Sequence, residues 1–298
     1  MEINTINIAI DTNKCTVCAS CMHVCPNGIY AVHDKKIAIN PLRTHLCIAC
    51  GQCMAVCKSK AVQQSKLDYD TDFEELSPDS ASGTFDNLIK TRRSVRSFKN
   101  IPVPEELLLE ILNTVSYAPI SFPPHKTEIC IVQNYELLAK ASGEMMKFYE
   151  KMPKLLANPI IRQIIKHKLT NRQFMVLQNH VMPIVTTKIN NKTGENEDFI
   201  LRNAPVLLLF HANTKAELIE TDLHIALTYA MLGAHAAGLG TCVIDLVAPP
   251  VNKSPELKQL FKIPTENEVF SALIVGYPKV HYFRTIKRNF AFNFIGNT

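Results

Sequence analysis

The pattern of hydrophobic and polar positions predicts a chain of mixed helices and strands. Short apolar runs bounded by glycine, proline or polar residues predict buried strands. They span residues 128–132, 205–210, 241–246 and 272–276. Apolar residues at helical spacing predict a helix that starts at Pro104 and ends near Ala118 and Pro119, with a shorter helix around residues 85–91 before it.

Two stretches interrupt this pattern. Residues 65–84 are acidic and rich in turn-forming residues, which predicts a linker between a small domain, residues 1–64, and a larger one, residues 85–298. Residues 144–199 combine methionines and phenylalanines with many lysines. They form either an ordinary amphipathic helical insertion or a cap whose adaptable methionines line a ligand pocket, and the sequence leaves both interpretations open.

The stretch between Asp222 and Asp245 raises the question of a membrane span, because it contains no Asp, Glu, Lys or Arg. However, it includes two histidines, a threonine, a tyrosine and a Gly-Leu-Gly sequence near its end. A buried helix followed by a loop and a strand is therefore predicted, and no membrane association is expected.

Composition adds limits on domain number, partners and compartment. With 298 residues, 47% of them hydrophobic, the chain is long enough for two domains. Its net charge of +5 comes from scattered basic residues, so no nucleic-acid partner is expected. The first residues lack the basic and apolar pattern of a secretion signal. A reducing, cytoplasmic location is expected, where clustered thiols usually hold metal.

Eight of the ten cysteines form an internal repeat, in which each cysteine of the first run recurs 32 positions later. The two runs are Cys15, Cys18, Cys21, Cys25 and Cys47, Cys50, Cys53, Cys57. Each has the Cys-x2-Cys-x2-Cys-x3-Cys spacing by which thiolates hold a cubane iron-sulfur cluster. Zinc is the alternative, but a third closely spaced cysteine has no role in a tetrahedral site with four ligands.

This region resembles the bacterial two-[4Fe-4S] ferredoxins over about the first 64 residues. In that family the fourth cysteine of each run ligates the other cluster. The resemblance implies two [4Fe-4S] clusters with crossed ligand sets: Cys15, Cys18, Cys21 and Cys57 for one cluster, and Cys47, Cys50, Cys53 and Cys25 for the other. The chain departs from the family pattern at Lys58, which stands where the pattern has proline.

Three arginines and a serine lie close together just after the predicted short helix: Arg92, Arg93, Ser94 and Arg96. Guanidinium groups and hydroxyls bind phosphate oxygens well, so this segment is a candidate phosphate site. Taken from the residues alone, a solvated surface turn is the alternative.

Five segments resemble, in their order, the FMN-dependent nitroreductase family. They are Arg-Arg-Ser-Val-Arg-Ser-Phe with the following Pro-Val-Pro-Glu-Glu, the helix ending in Ala-Pro, the strand of residues 204–210, the Gly-Leu-Gly-Thr-Cys-Val-Ile of residues 238–244, and the Val-Gly-Tyr-Pro of residues 275–278. The match covers about residues 85–290, and the whole chain resembles the ferredoxin-nitroreductase fusions of anaerobes.

The resemblance implies an α+β fold class, in which a small ferredoxin-like two-cluster module is followed by a nitroreductase-type α+β sandwich. It further implies an intertwined homodimer with FMN at the subunit interface. By this resemblance FMN would be bound by Arg92, Arg93, Ser94 and Arg96, by the turn at Gly238 and Gly240, by the backbone of Ile244, Asp245 and Leu246 near the flavin N5, and by the tail residues Arg284 and Arg288.

The chain departs from the nitroreductase pattern after Ala118 and Pro119, where the family usually has an Asn and a Gln that contact the flavin ring. Here a proline and a histidine stand near those positions, at Pro123 and His125. His125 is the candidate proton donor, because the pKa of histidine lies near neutrality. A solvated loop histidine is the alternative.

Other histidines and cysteines predict structural roles. His211, His224 and His235 lie in apolar contexts without metal-ligand spacing and are expected to be satisfied core histidines. The isolated Cys130 and Cys242 are expected to be buried, inert thiols.

Together these features predict an iron-sulfur flavoprotein oxidoreductase. An external low-potential donor, such as a ferredoxin, is expected to reduce the clusters, and FMN to reduce an electron-poor small molecule such as a nitroaromatic or a quinone. The sequence leaves three alternatives open. The protein could be a non-enzymatic electron carrier for a partner protein, a redox-sensing iron-sulfur protein, or an enzyme for a dedicated biosynthetic reduction or dehalogenation.

Overall fold

The structure, a computed structural model, describes residues 6–75, 85–121, 127–190, 198–215, 218–288, 290–291 and 293–296. The chain divides into two compact units. The first unit consists of Met1–Thr91 and Val280–Thr298, and the second unit of Arg92–Lys279. Residues 280–298, predicted to belong with the larger domain, therefore group with the N-terminal residues instead.

Short elements surround the cysteine repeat in the first unit. Strand β1 (Ile8–Ile10) pairs antiparallel with β4 (Val62–Gln64), and β2 (Tyr30–His33) pairs antiparallel with β3 (Lys36–Ile39). Helix α1 (Ser20–Val24) and helix α2 (Gln52–Ala55) begin at positions 32 residues apart in the sequence. The sequence repeat is thus also a structural repeat.

The C-terminal residues add a two-stranded sheet to the first unit. Strand β5 (Phe73–Glu75) pairs antiparallel with β10 (Arg284–Ile286). The segment of residues 65–84, predicted as a linker, thus contains a short strand at Phe73–Glu75. The strand is not visible in the local sequence because its partner lies about 209 residues further along the chain. Helix α3 (Phe85–Thr91) confirms the predicted short helix.

The second unit contains a four-stranded antiparallel sheet. Its strands are β6 (Thr127–Val132), β7 (Val206–Asn213), β8 (Gly240–Val243) and β9 (Asn267–Gly276), in the spatial order β6-β7-β9-β8. All four predicted strands are confirmed, although β9 begins earlier and β8 ends earlier than the apolar runs indicated.

Helices cover both faces of this sheet. One face packs against α4 (Glu105–Val115) and α9 (Ile219–Ala236). The other packs against α5 (Tyr135–Ala157), α8 (Met182–Asn190), α10 (Ala248–Lys253) and α11 (Pro255–Leu260). Strand β7 reads as a continuous apolar run because Leu207 and Leu209 enter one core while Leu208 and Phe210 enter the other.

The charge-free stretch after Asp222 forms most of α9 and then β8, which confirms the predicted buried helix, loop and strand. Across the described parts of the chain, no helix combines the length and apolar character needed to cross a membrane.

The stretch of residues 144–199 is largely helical, as the amphipathic interpretation predicted. After α5 come α6 (Pro159–Lys168), α7 (Asn171–Val176), one stretch of π-helix (Leu177–Val181) and α8. Met145 and Met182 are buried in the core beside the sheet, whereas α6 has no buried residue. These methionines therefore serve packing.

Candidate iron-sulfur and flavin sites

The two cysteine loops share an unusual backbone conformation. Val17 and its repeat equivalent Ala49 have φ angles of +58° and +50°, and Ala19 and its equivalent Gly51 have φ angles of +59° and +74°. A left-handed conformation is costly for a β-branched valine. Turns of this kind aim successive backbone N–H groups at an anion, and they recur around iron-sulfur clusters. The repeated conformation indicates two equivalent binding loops.

The thiols form two groups, each with three cysteines of one run and one cysteine of the other. The Cys21 thiol interacts with those of Cys57, Cys18 and Cys15. The Cys53 thiol interacts with those of Cys50, Cys25 and Cys47. We call the first four thiols set one and the second four set two. The structure thus brings together the same two groups that the ferredoxin resemblance implied.

Set two surrounds a cavity. All four of its cysteines line the cavity, together with Tyr30 and Gln64 among others. A cubane needs such a space with thiolates on its walls, so the residues fit a [4Fe-4S] cluster. Within the ranges that the structure describes, no three His, Cys, Asp or Glu side chains are placed to hold one single metal ion.

Hydrogen bonds reach the sulfurs of both sets. The Tyr30 hydroxyl donates to Cys53 Sγ at 3.2 Å. The backbone N–H of Ala61 donates to Cys57 Sγ at 3.2 Å. Such donors stabilise the negative charge of a thiolate ligand and influence the reduction potential of a bound cluster.

Burial affects the thiols strongly. It raises the pKa of Cys21 to about 12, and the other thiols of set one add to the rise. Burial likewise raises the pKa of Cys53 to about 12, although the Tyr30 hydroxyl opposes this. The pKa of the exposed Cys18 is instead lowered by a hydroxyl hydrogen bond. Because ligation needs thiolates, iron binding must displace protons from the buried thiols.

Arg284, which the resemblance placed at the flavin phosphate, lies in the first unit instead. Its Nε donates to Glu75 Oε1 at 2.6 Å, and its Nη1 and Nη2 donate to the carbonyl oxygens of Cys57 and Lys58 at 2.7 and 3.2 Å. Pairing of β10 with β5 thus gives three donors of this guanidinium partners within the first unit, and its role at the flavin phosphate stays a prediction. Arg288 belongs to the same unit and is exposed.

The arginine-containing segment lies along β8 in the second unit. Ser94 forms a parallel bridge with Thr241, and the Val95 N–H donates to the Thr241 carbonyl at 2.8 Å. Gly240 permits this approach, since a Cβ there would lie only 2.5 Å from Cγ2 of Val95. Gly238, in the turn before β8, has a φ of +78° that favours glycine.

Arg92 and Arg93 interact electrostatically with His235, which lies at the C-terminal end of α9. Burial lowers the pKa of His235, and the two nearby guanidinium groups lower it further. His235 is half-buried, so it lies at the edge of the core and not inside it as the sequence predicted. Two arginines near the half-buried His235 create a positive electrostatic potential there, which suits a phosphate group. Arg96 belongs to the same segment, and its Nη1 donates to the Ser94 carbonyl at 3.4 Å.

The turn after β8 is fixed at both ends. The Ile244 N–H donates to the Ala272 carbonyl at 3.0 Å, and the Tyr149 hydroxyl donates to the Leu246 carbonyl at 2.8 Å. Asp245, between them, is exposed. The backbone of residues 244–246 is thus held by a hydrogen bond at each end, with the exposed Asp245 between them.

The candidate proton donor His125 lies in residues 122–126, outside the described residues. Just before them, Ser121 donates through its N–H and its hydroxyl to one oxygen of Asp222, at 2.9 and 2.7 Å. Asp222 is only 4% exposed. Sequence reasoning missed this anchor. The available signal was the position of this carboxylate directly before a helical stretch that contains no Asp, Glu, Lys or Arg.

Other side chains match their expected structural roles only in part. His211 is buried with a ring nitrogen 3.0 Å from an asparagine amide, which confirms a satisfied core histidine. His224 is exposed, so the expectation was wrong there. Cys242 is buried as expected, whereas Cys130 is half-buried and burial raises its pKa. All ten cysteines are free thiols.

Family models match both parts of the chain. The model of the nitroreductase family matches residues 89–277. The model of the 4Fe-4S dicluster domain matches residues 7–65.

Two curated relatives are each similar to about two thirds of the chain. A protein of Methanothermobacter thermautotrophicus assigned as an NADH dehydrogenase/NAD(P)H nitroreductase is 26% identical over 194 residues, which are 64% of this chain and 75% of that protein. Iodotyrosine deiodinase of Drosophila melanogaster is 25% identical over 213 residues, covering 68% of this chain and 65% of the deiodinase.

Solved structures show the same fold. A nitroreductase with bound FMN from Desulfitobacterium hafniense superimposes with a TM-score of 0.51 at 14% identity, covering 70% of this chain and 96% of that one. An FMN-dependent nitroreductase from Clostridium difficile gives a TM-score of 0.50 at 18% identity, with coverages of 70% and 97%. These similarities confirm the predicted α+β nitroreductase fold.

Proposed function

The chain belongs to the nitroreductase family, and from this premise we propose that it takes electrons from an external donor and delivers them to an electron-poor small molecule. The two family matches confirm the predicted fusion of a two-cluster iron-sulfur module with an FMN-dependent oxidoreductase domain. The path of the electrons and the identity of donor and acceptor are our proposal.

Set one and set two each hold one [4Fe-4S] cluster in this proposal. The grouping of the thiols across the two runs carries it. The cavity lined by set two and the hydrogen bonds to Cys53 and Cys57 support it further. When bound, the clusters would supply single-electron transfer, and FMN would collect two electrons for the acceptor.

The FMN phosphate is held by Arg92 and Arg93 in this proposal, with Ser94 and Arg96 on the same segment. The positive potential beside His235 supports this role. In this proposal the backbone of residues 244–246 faces the flavin ring, and the hydrogen bond from Tyr149 holds that turn. Gly238 and Gly240 shape the preceding turn. Arg284 is left out of this proposed set, since three of its donor contacts lie within the first unit.

The donor is a low-potential electron carrier such as a ferredoxin, and it docks near set one. Cys18 of set one is the one exposed thiol among the eight, and electron transfer favours short distances. The active form is a homodimer, as the family resemblance implies. Sedimentation of the loaded chain at micromolar concentration tests this, and a monomer that retains FMN and activity would contradict it.

The crossed ligation is tested by two double variants that each remove two cysteines. Wild type, loaded anaerobically with iron, sulfide and FMN, should hold about eight iron atoms, four per cluster. Cys15→Ser with Cys57→Ser removes two ligands of set one and should leave about four iron atoms. Cys15→Ser with Cys25→Ser damages both sets and should leave almost none. The reverse pattern would show ligation within each run.

Activity is tested with the loaded full-length chain and a chemically reduced ferredoxin. Nitroaromatics, quinones and halogenated phenols are the acceptors. The last class is included because one relative is an iodotyrosine deiodinase. NAD(P)H is the second donor, because another relative is assigned as an NAD(P)H nitroreductase. Turnover of at least one acceptor supports the proposal. If none turns over while reduced clusters still pass electrons to an added protein, the chain is an electron carrier.

A further inference from the structure

Arg284 places a buried positive charge beside Cys57 of set one. Its side chain is 5% exposed, and its Nη1 donates to the carbonyl oxygen of Cys57 at 2.7 Å. The guanidinium carbon lies 5.4 Å from the centroid of the Tyr69 ring, and Tyr69 in turn interacts with the Cys57 thiol. The guanidinium therefore contacts Cys57 directly and through one aromatic ring.

The counter-charge of Arg284 is much more exposed to water. Glu75, which accepts from Nε at 2.6 Å, has a side chain that is 60% exposed. Lys60 approaches the same carboxylate oxygen at 3.4 Å and is 42% exposed. Water screens the charge of the exposed carboxylate more than the charge of the buried guanidinium. The net electrostatic potential of the pair at Cys57 is therefore positive.

Set two has a different environment. Its Cys53 thiol receives a hydrogen bond from the neutral hydroxyl of Tyr30. The Arg43 guanidinium lies near this set, and its Nη1 donates to the carbonyl of Asn27 at 3.4 Å, whereas Arg284 donates at 2.7 Å to the carbonyl of Cys57, itself a cysteine of set one. Among the described residues, the two sets thus differ in that a guanidinium donates to a ligand cysteine of set one.

We propose that Arg284 raises the reduction potential of the cluster held by set one, and that it acts on this cluster selectively. Reduction adds one negative charge to the cluster, and a buried positive charge beside a ligand stabilises the reduced state. The C-terminal tail thereby raises the electron affinity of one of the two sites. This inference rests on the proposed ligation of a cluster by set one.

The test is a redox titration of the loaded full-length chain, followed by electron paramagnetic resonance of the reduced clusters. Arg284→Gln should lower one cluster potential by about 59 mV, a tenfold change in the equilibrium constant for one-electron reduction. Glu75→Gln should raise the same potential, because it removes the opposing charge. Lys36→Gln removes one exposed positive charge from the same unit and should leave both potentials unchanged.

If the role of Arg284 is electrostatic, Arg284→Gln and Glu75→Gln shift the cluster potential in opposite directions. If each variant only loosens the pairing of β5 with β10, both shift the potential in the same direction. Tyr30→Phe should lower the other cluster potential and so identify set two. If the Arg284→Gln variant loses its clusters, the Glu75→Gln variant, which changes the exposed residue of the ion pair, still tests the inference through the predicted rise in potential. Unchanged potentials, or equal shifts of both clusters, would overturn the inference. Iron content in wild type separately tests the ligation itself.

Discussion

Replacement of Gly240 by alanine tests how the arginine segment is attached to the second unit. An added Cβ would lie 2.5, 2.7 and 2.9 Å from Cγ2, Cβ and Cγ1 of Val95. Val95 is 4% exposed, and a β-branched side chain has little rotamer freedom with which to move aside. The arginine-containing segment must therefore shift away from β8. Without the substitution, the Val95 N–H of this segment donates to the Thr241 carbonyl.

The magnitude follows from two opposing terms. Overpacking of this kind costs about 1–3 kcal/mol. Alanine also restricts the unfolded chain, which stabilises the folded state by about 0.4–1 kcal/mol. A net loss of about 1–2 kcal/mol in the free energy of unfolding is expected. If the displaced segment also moves Arg92 and Arg93 away from the FMN phosphate, the affinity for FMN should fall. The expected decrease is about fivefold for each 1 kcal/mol of binding free energy that is lost.

The assay combines urea unfolding of the second unit, followed by circular dichroism, with titration of FMN by fluorescence. Gly143→Ala in the middle of α5 is the matched control, because its added Cβ would meet no atom within 4 Å. It should stabilise the chain by about 0.5–1 kcal/mol and leave FMN affinity unchanged. A Gly240→Ala variant with wild-type stability and wild-type FMN affinity would refute the proposed packing role.

Three further substitutions address the second unit. Arg92→Ala should weaken FMN binding by about 1.5–3 kcal/mol through loss of a charge-assisted contact, and an unchanged dissociation constant in equilibrium dialysis removes Arg92 from the site. Asp222→Asn should lower the free energy of unfolding by about 1–3 kcal/mol, because the buried oxygen that holds Ser121 loses its charge; equal urea midpoints would contradict this. Since the folded pKa of His235 lies below its usual value, the unfolded state binds the proton more readily, and stability should fall as the pH drops below about 6.5. His235→Asn should flatten that dependence, and an identical slope in the variant would exclude His235 as its source.

The sequence by itself determined the features that depend on local spacing. The intervals between cysteines fix which thiols a compact loop can present, and the 32-residue repeat shows that this loop occurs twice. Continuous apolar runs identified all four strands of the main sheet, because strands that are buried on both faces have no polar side. The order of five short segments was enough to indicate the nitroreductase family.

The tertiary structure alone decided which distant segments meet. Arg284 looked like a phosphate ligand from its place in the tail, but pairing with a strand about 209 residues earlier put it beside Cys57. The sequence placed Gly240 in a turn near the cofactor, but its close approach to Val95 is visible only in the fold. Asp222 and Ser121 are about 101 residues apart in sequence and share one buried contact. Local periodicity reports which face of an element is buried, whereas such long-range contacts depend on how the whole chain closes its loops.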